Sequence, residues 1–202
     1  MRRSIIALAL VAGCAQMGGS ADGDAGWVPL VDGASGLENF DPIGDANWRA
    51  EGGAIVADRG KGGHLVSKST YGDFEMRVEF WAQTDTNSGI FFRCDNRQKI
   101  TAATCYEANI WDIRPEPKYG SGALVDIAEV PVPIQNKVGG RWNTMEISAR
   151  GPQLVVKLNG VQTASATHDK LKTGPFTLQY GPGVKGAQGG VIKWRKVLVR
   201  RV

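Results

Sequence analysis

Two histidines and three cysteines in 202 residues leave little material for a metal centre. His64 and His168 stand far apart in polar, loop-like surroundings, and with no Cys/His cluster at ligand spacing the sequence offers no zinc site. No loop has the run of acidic and carbonyl ligands that calcium needs, so the expectation is neither metal nor cofactor. Charge of one sign is scarce too. The chain has 24 Lys plus Arg against 20 Asp plus Glu, and setting Arg2 and Arg3 aside leaves 22 against 20, a balance of +2. That excludes the concentrated basic footprint that nucleic acid requires. The one basic stretch, Lys193 to Arg201, interleaves with Trp194, Val197 and Val199, as a strand with a solvated outer face does. Helical periodicity is missing, and no apolar run reaches the roughly 20 residues of a membrane-crossing helix.

The longest apolar run, Ile5 to Ala12, follows Arg2 and Arg3 and ends in Val11-Ala12-Gly13-Cys14. A charged head, a short apolar stretch and a small-residue end are the parts of a secretory signal. The tetrapeptide resembles the bacterial lipobox, which makes residues 1–13 a lipoprotein signal peptide and Cys14 the lipidated N-terminus. Ala15 in place of Asp behind that cysteine resembles the outer-membrane pattern. The expected location is thus the cell envelope, with membrane contact through the lipid alone. Residues 14–25, rich in Gly, Ala, Ser and Asp, read as a flexible tether.

From residue 26 onward the chain is a series of short β-rich runs broken by Gly, Pro, Asn and Asp. Phe74 to Trp81 alternates, with Phe74, Met76, Val78 and Phe80 on one face and charged residues on the other. Thr144 to Arg150, Phe176 to Tyr180 and Val191 to Val202 read as further strands. Asn159-Gly160 between Gln153–Leu158 and Val161–Ala166 signals a hairpin, because both turn positions tolerate positive φ. With 27 glycines and strands at this spacing, the fold is all-β: sandwich, jelly roll or barrel.

Two cysteines remain after Cys14. Cys94 and Cys105 are spaced for a bridge across a short loop, yet strict alternation puts Cys94 on the face of Ile90 and Phe92, and Cys105 on that of Glu107 and Asn109. A disulfide therefore needs a bulge or a loop, and two free thiols are the alternative.

A set of short motifs recurs in order: Trp27 to Gly33, Tyr71 to Glu75, Asn87 to Arg93, Tyr106 to Asp112, Gly122 to Leu124, Trp142-Asn143, Leu158 to Gly160, Gly174-Pro175 and Leu178-Gln179. Together they resemble the 3-keto-disaccharide hydrolase domain family over residues 26–202. The resemblance implies a jelly-roll β-sandwich of two antiparallel sheets, of the concanavalin A-like lectin and glucanase type, with a sugar site on the concave face. It further implies a hydrolase acting on 3-keto-disaccharides or related 3-keto-glycosides. The alternative is a non-catalytic, lectin-like carbohydrate-binding module. The chain departs from the family pattern at Asn109 (commonly Gln), Val125 (commonly Tyr) and Tyr180-Gly181, where many members have a His.

Alternation places Glu107, Asn109 and Trp111 on one strand face: an acid-base group, a hydroxyl reader and an apolar platform for a sugar ring. On the neighbouring motif Arg93 alternates away from Ile90 and Phe92, where its fork could orient Glu107 or a sugar oxygen. Asn87, Gln179 and Asp112 are further substrate-binding candidates, Asp112 only through a bulge or strand end, with a turn toward Pro115 as its alternative role. A ketone at C3 acidifies the C2 proton, so the expected route has Glu107 remove that proton while Arg93 or Gln179 stabilises the enediolate, with direct hydrolysis as the alternative.

Overall fold

The computed structural model describes residues 26–202; the signal-like segment, Cys14 and the tether lie outside the described residues. Thirteen strands follow in chain order: β1 (Val28–Asp32), β2 (Phe40–Gly44), β3 (Arg49–Glu51), β4 (Ala54–Ala57), β5 (Gly63–Ser67), β6 (Phe74–Ala82), β7 (Ser88–Phe92), β8 (Tyr106–Ile110), β9 (Arg141–Arg150), β10 (Gln153–Leu158), β11 (Val161–Thr167), β12 (Thr177–Tyr180) and β13 (Ile192–Arg201). Eight form one antiparallel sheet in the order β11-β10-β9-β6-β13-β4-β3, with β1 also paired to β13. The other five form a second antiparallel sheet, β2-β5-β12-β7-β8. Among the described residues the only helical pieces are three single 3₁₀ turns.

Period-two alternation decides which side chains fill the space between the sheets. On β6, Phe74, Met76, Val78 and Phe80 are buried while Arg77 is exposed. From the second sheet, Leu65, Ile90, Phe92, Tyr106, Ala108, Leu178 and Tyr180 join them in one core. Each fully buried Leu, Ile or Phe contributes about 1.5–3 kcal/mol, so this interleaved layer is what holds the sheets together. The predicted β10–β11 turn is present, with Asn159 at φ 53° and Gly160 at φ 80°, and Asn159 Oδ1 accepts the Thr144 backbone N–H at 2.9 Å. In β13 a register shift between Trp194 and Lys196 lets Trp194, Val197 and Val199 all face inward, although 194 and 197 differ in parity.

Cys94 and Cys105 are joined by a disulfide. The face conflict between them is removed at Arg93, whose φ of 51° ends the extended run after Phe92. Cys94 thereby swings to the opposite face, where both sulfurs pack with Phe91 and Ile100.

Candidate functional site

Because Leu65, Leu178, Ile90 and Ala108 point into the core, the alternate positions of the five-stranded sheet form its outer face. Register places Ile43, His64 and Gln179 side by side on β2, β5 and β12, and Thr177, Phe91 and Glu107 side by side on β12, β7 and β8. Continuing the β12–β7 register by one step sets Gln179 beside Gly89. Gly89 has a packing role: a Cβ there would sit 3.1 Å from Glu107 Oε1. The carboxylate of Glu107 thus leans across β7 toward Gln179, over a position that has no side chain.

Glu107 keeps only 8% of its surface exposed. Burial raises its pKa from the ordinary carboxylate range to about 7; the positive charge of Arg114 opposes that rise and the negative charge of Asp126 adds to it. Desolvation dominates because the charged form has lost its water and gains no hydrogen bond that would replace it. Both flanking charges come from the segment after β8. There Leu124 bridges Ala108, and the backbone N–H of Val125 donates to the Glu107 carbonyl at 3.0 Å. This segment covers the sheet edge and closes one side of the site.

On the other side of Gln179 the outer face opens into a groove of about 610 Å³, lined among others by Ile43, Lys61, His64, Lys99, Gln179 and Pro182. Glu107 lies beside this groove rather than in its wall. Gln179 Oε1 is buried without a hydrogen-bond partner, as are Trp111 Nε1 and Arg114 Nε. Each unpartnered polar atom costs about 1–3 kcal/mol; of the three, Gln179 stands beside Gly89 and Arg114 carries the charge that acts on Glu107. Trp111 follows the end of β8, and the Arg114 guanidinium carbon lies 5.8 Å from its ring centroid.

Several residues expected at the site are committed elsewhere. Arg93 is 1% exposed. Its Nε donates to Gly72 O at 2.9 Å, its Nη1 to Gly151 O at 2.7 Å and Leu171 O at 3.4 Å, and its Nη2 to Asp73 Oδ1 at 2.9 Å. The turn at φ 51° that released Cys94 also carried this guanidinium away from Glu107, and the cation that does act on Glu107 is Arg114. Asn109 is fully buried, donating from Nδ2 to Tyr119 O at 2.5 Å, so no sugar hydroxyl reaches it. Asp112 accepts from Ser121 Oγ at 2.6 Å and from the backbone N–H groups of Val138 and Gly139 at 2.9 and 3.0 Å, the loop-fixing role rather than the substrate-binding one. Asn87 donates to Pro182 O at 2.7 Å and so shapes the rim of the groove.

His64 and Thr177 are the functional candidates that alternation alone did not single out. His64 lies within β5, not in a loop. Its Nδ1 is 2.9 Å from Thr177 Oγ1 and its ring meets Phe91 edge-on at 5.2 Å between centroids. Burial lowers its pKa to about 4, so the ring is neutral at physiological pH. The Gly63-to-Ser67 run was the available signal, since its alternation sets His64 opposite Leu65. His168, by contrast, holds the hydroxyl of Tyr106 at 3.0 Å. Among the described residues no group of three or more His, Cys, Asp or Glu side chains is placed to hold a metal ion.

Two antiparallel sheets packed face to face, with a groove on the outer face of the smaller one, define a β-sandwich with a galectin- and lectin-like fold. The chain belongs to the 3-keto-alpha-glucoside-1,2-lyase-like domain family, which matches residues 26–200. Similar solved structures include two provisionally named glycosyl hydrolases from Parabacteroides distasonis ATCC 8503. One shares 16% identity at a TM-score of 0.75, covering 91% of this chain and 97% of that one; the other shares 21% at 0.68, covering 87% and 99%. The carbohydrate-binding module CBM66 from Bacillus subtilis is similar at a TM-score of 0.56 and 16% identity, covering 87% and 95%. None of the curated proteins matches the chain.

Proposed function

We propose that this chain cleaves the glycosidic bond of 3-keto-disaccharides or related 3-keto-glycosides by elimination across C1 and C2. The observation that supports this best is the Glu107 carboxylate, desolvated over Gly89 on the groove-bearing face with a pKa of about 7. A general base is most effective when its pKa lies near the working pH. Glu107 takes the C2 proton that the C3 ketone has acidified, and the C2–H electron pair forms the C1=C2 double bond. The C1–O bond breaks, and the departing oxygen receives a proton. Water then adds across the enone, restoring a free 3-keto sugar, so that the sum of the two steps is hydrolysis. The free carbonyl of Gln179 supplies a hydroxyl acceptor across β7 from the base, and the indole of Trp111, just past the end of β8, supplies a ring platform.

Family membership supports the substrate class, and the elimination step agrees with the lyase chemistry in the family's description. The expected result of incubating the protein with a synthetic 3-keto-disaccharide in D₂O is release of both sugars, with deuterium at C2 of the 3-keto product. Protium retained at C2 would mean direct hydrolysis. Saturable binding without product would establish the second reading, a lectin-like module, which the same unpartnered Gln179 and Trp111 atoms would also serve.

The setting we propose is the cell envelope, with the domain held by lipid on Cys14. This rests on the Arg2-Arg3 head and the Val11 to Cys14 tetrapeptide. In a bacterial expression host, the wild-type chain is expected in the membrane fraction and a Cys14→Ser chain outside it. Equal membrane recovery of the two would remove the lipid anchor from the account.

A further inference from the structure

We propose that His64 acts on the substrate together with Glu107: its Nε2–H donates a hydrogen bond to the ketone oxygen of the bound 3-keto sugar and stabilises the charge that develops there as the C2 proton leaves. The assignment rests on the function proposed above but is carried by different residues.

Three observations support it. The first is the tautomer. Thr177 is fully buried, and His64 Nδ1, at 2.9 Å, is the one partner its hydroxyl has among the described residues. A buried O–H left without an acceptor is costly, so Thr177 donates to Nδ1. A neutral imidazole that accepts at Nδ1 carries its proton on Nε2. The second is charge. Burial holds the ring neutral near pH 7, and a neutral imidazole can polarise a carbonyl without giving up a full proton. The third is position. His64 lines the groove beside Gln179, whereas the Glu107 carboxylate lies over Gly89 on the far side of Gln179. Adjacent strands are about 4.8 Å apart, so β5 and β7 are separated by roughly 9.5 Å. The His64 ring leans in over β12, bonded to Thr177 and set against Phe91, and the Glu107 carboxylate leans in over β7, so both side chains narrow that spacing. A 3-keto ring laid over β12 therefore offers its C2 proton to Glu107 and its ketone to His64. The edge-on contact with Phe91 and the Thr177 hydrogen bond hold the ring in place.

The chain has only two histidines, which makes the tautomer directly observable. With ¹⁵N-labelled histidine in the full chain, and a His64→Phe sample to identify the signals, His64 is expected to show an unprotonated Nδ1 and a protonated Nε2 from about pH 5 to 8. Turnover of a 3-keto-glycoside by His64→Phe should fall by about 10²–10³-fold in kcat with little change in KM, as for loss of an oxyanion donor. Thr177→Val should give mixed tautomers and a smaller loss, and Thr177→Ser should restore both. A proton on Nδ1 in the wild-type protein would overturn the assignment whether or not the protein is active. So would wild-type kcat in His64→Phe. A wild-type protein inert toward every 3-keto-glycoside would instead remove the proposed function, and this assignment with it.

Discussion

Replacing Glu107 by Gln should cut turnover by orders of magnitude and at the same time make the folded domain more stable above neutral pH. Loss of the base is expected to lower kcat by about 10²–10⁴-fold. The stability effect follows from the raised pKa. The folded carboxyl titrates at about 7, against an ordinary value of 4.5, so folding favours the protonated form. The resulting penalty is absent below about pH 4.5, grows as pH rises toward 7 and is fully present above it. A shift of that size corresponds to about 3 kcal/mol. Glutamine has nearly the same shape and no charge to desolvate, so the gain should be seen in urea unfolding at pH 8 and vanish at pH 4. In the wild-type protein kcat/KM should climb with pH and level off above about 7, since only the carboxylate can take the C2 proton. A purely structural glutamate would give neither the pH limb nor the trade of stability for activity. Full turnover in Glu107→Gln, or identical stability of the two proteins at pH 8, would remove Glu107 from the mechanism.

The sequence made the sandwich legible because its strands are half-buried and alternate. Phe74 to Phe80, the Asn159-Gly160 turn and the last strand all lie where periodicity puts them. The same rule found the face of Glu107, because Tyr106, Ala108 and Ile110 are fully committed to the core. Alternation fixes direction within a strand, but it reveals neither where a strand stops nor what folds over it. Asn109 does share the face of Glu107, yet the chain from Tyr119 to Ala123 returns to cover it. Asp112 lies beyond the end of β8, where the loop takes it for backbone donors. Arg114 and Asp126, which tune Glu107, reach it from a loop whose path no local pattern encodes. His64 had a readable strand but a partner, Thr177, 113 residues away, and register of that range is a tertiary property.

Arg93 should prove to be a stability residue and not a catalytic one. Its guanidinium is 1% exposed and donates to the carbonyls of Gly72, Gly151 and Leu171 and to the carboxylate of Asp73. Asp73 in turn accepts the Gly151 backbone N–H at 2.9 Å, so one side chain ties together the segments that precede β6, β10 and β12. Removing it strands three carbonyls in a space the fold cannot refill, and loss of one member of a buried ionic network typically costs about 3–5 kcal/mol. Asp73 is about half exposed and can recover water, which places Arg93→Ala toward the lower end of that range. Lysine keeps the charge but lacks the planar fork that reaches several acceptors at once, so Arg93→Lys should recover only part of the loss. In both variants the fraction that remains folded should retain wild-type kcat and the same pH limb, because the cation acting on Glu107 is Arg114. The decisive comparison is urea unfolding against turnover per folded molecule. A shifted pH limb in Arg93→Lys at unchanged stability would return Arg93 to the active site and displace Arg114 from the account of Glu107.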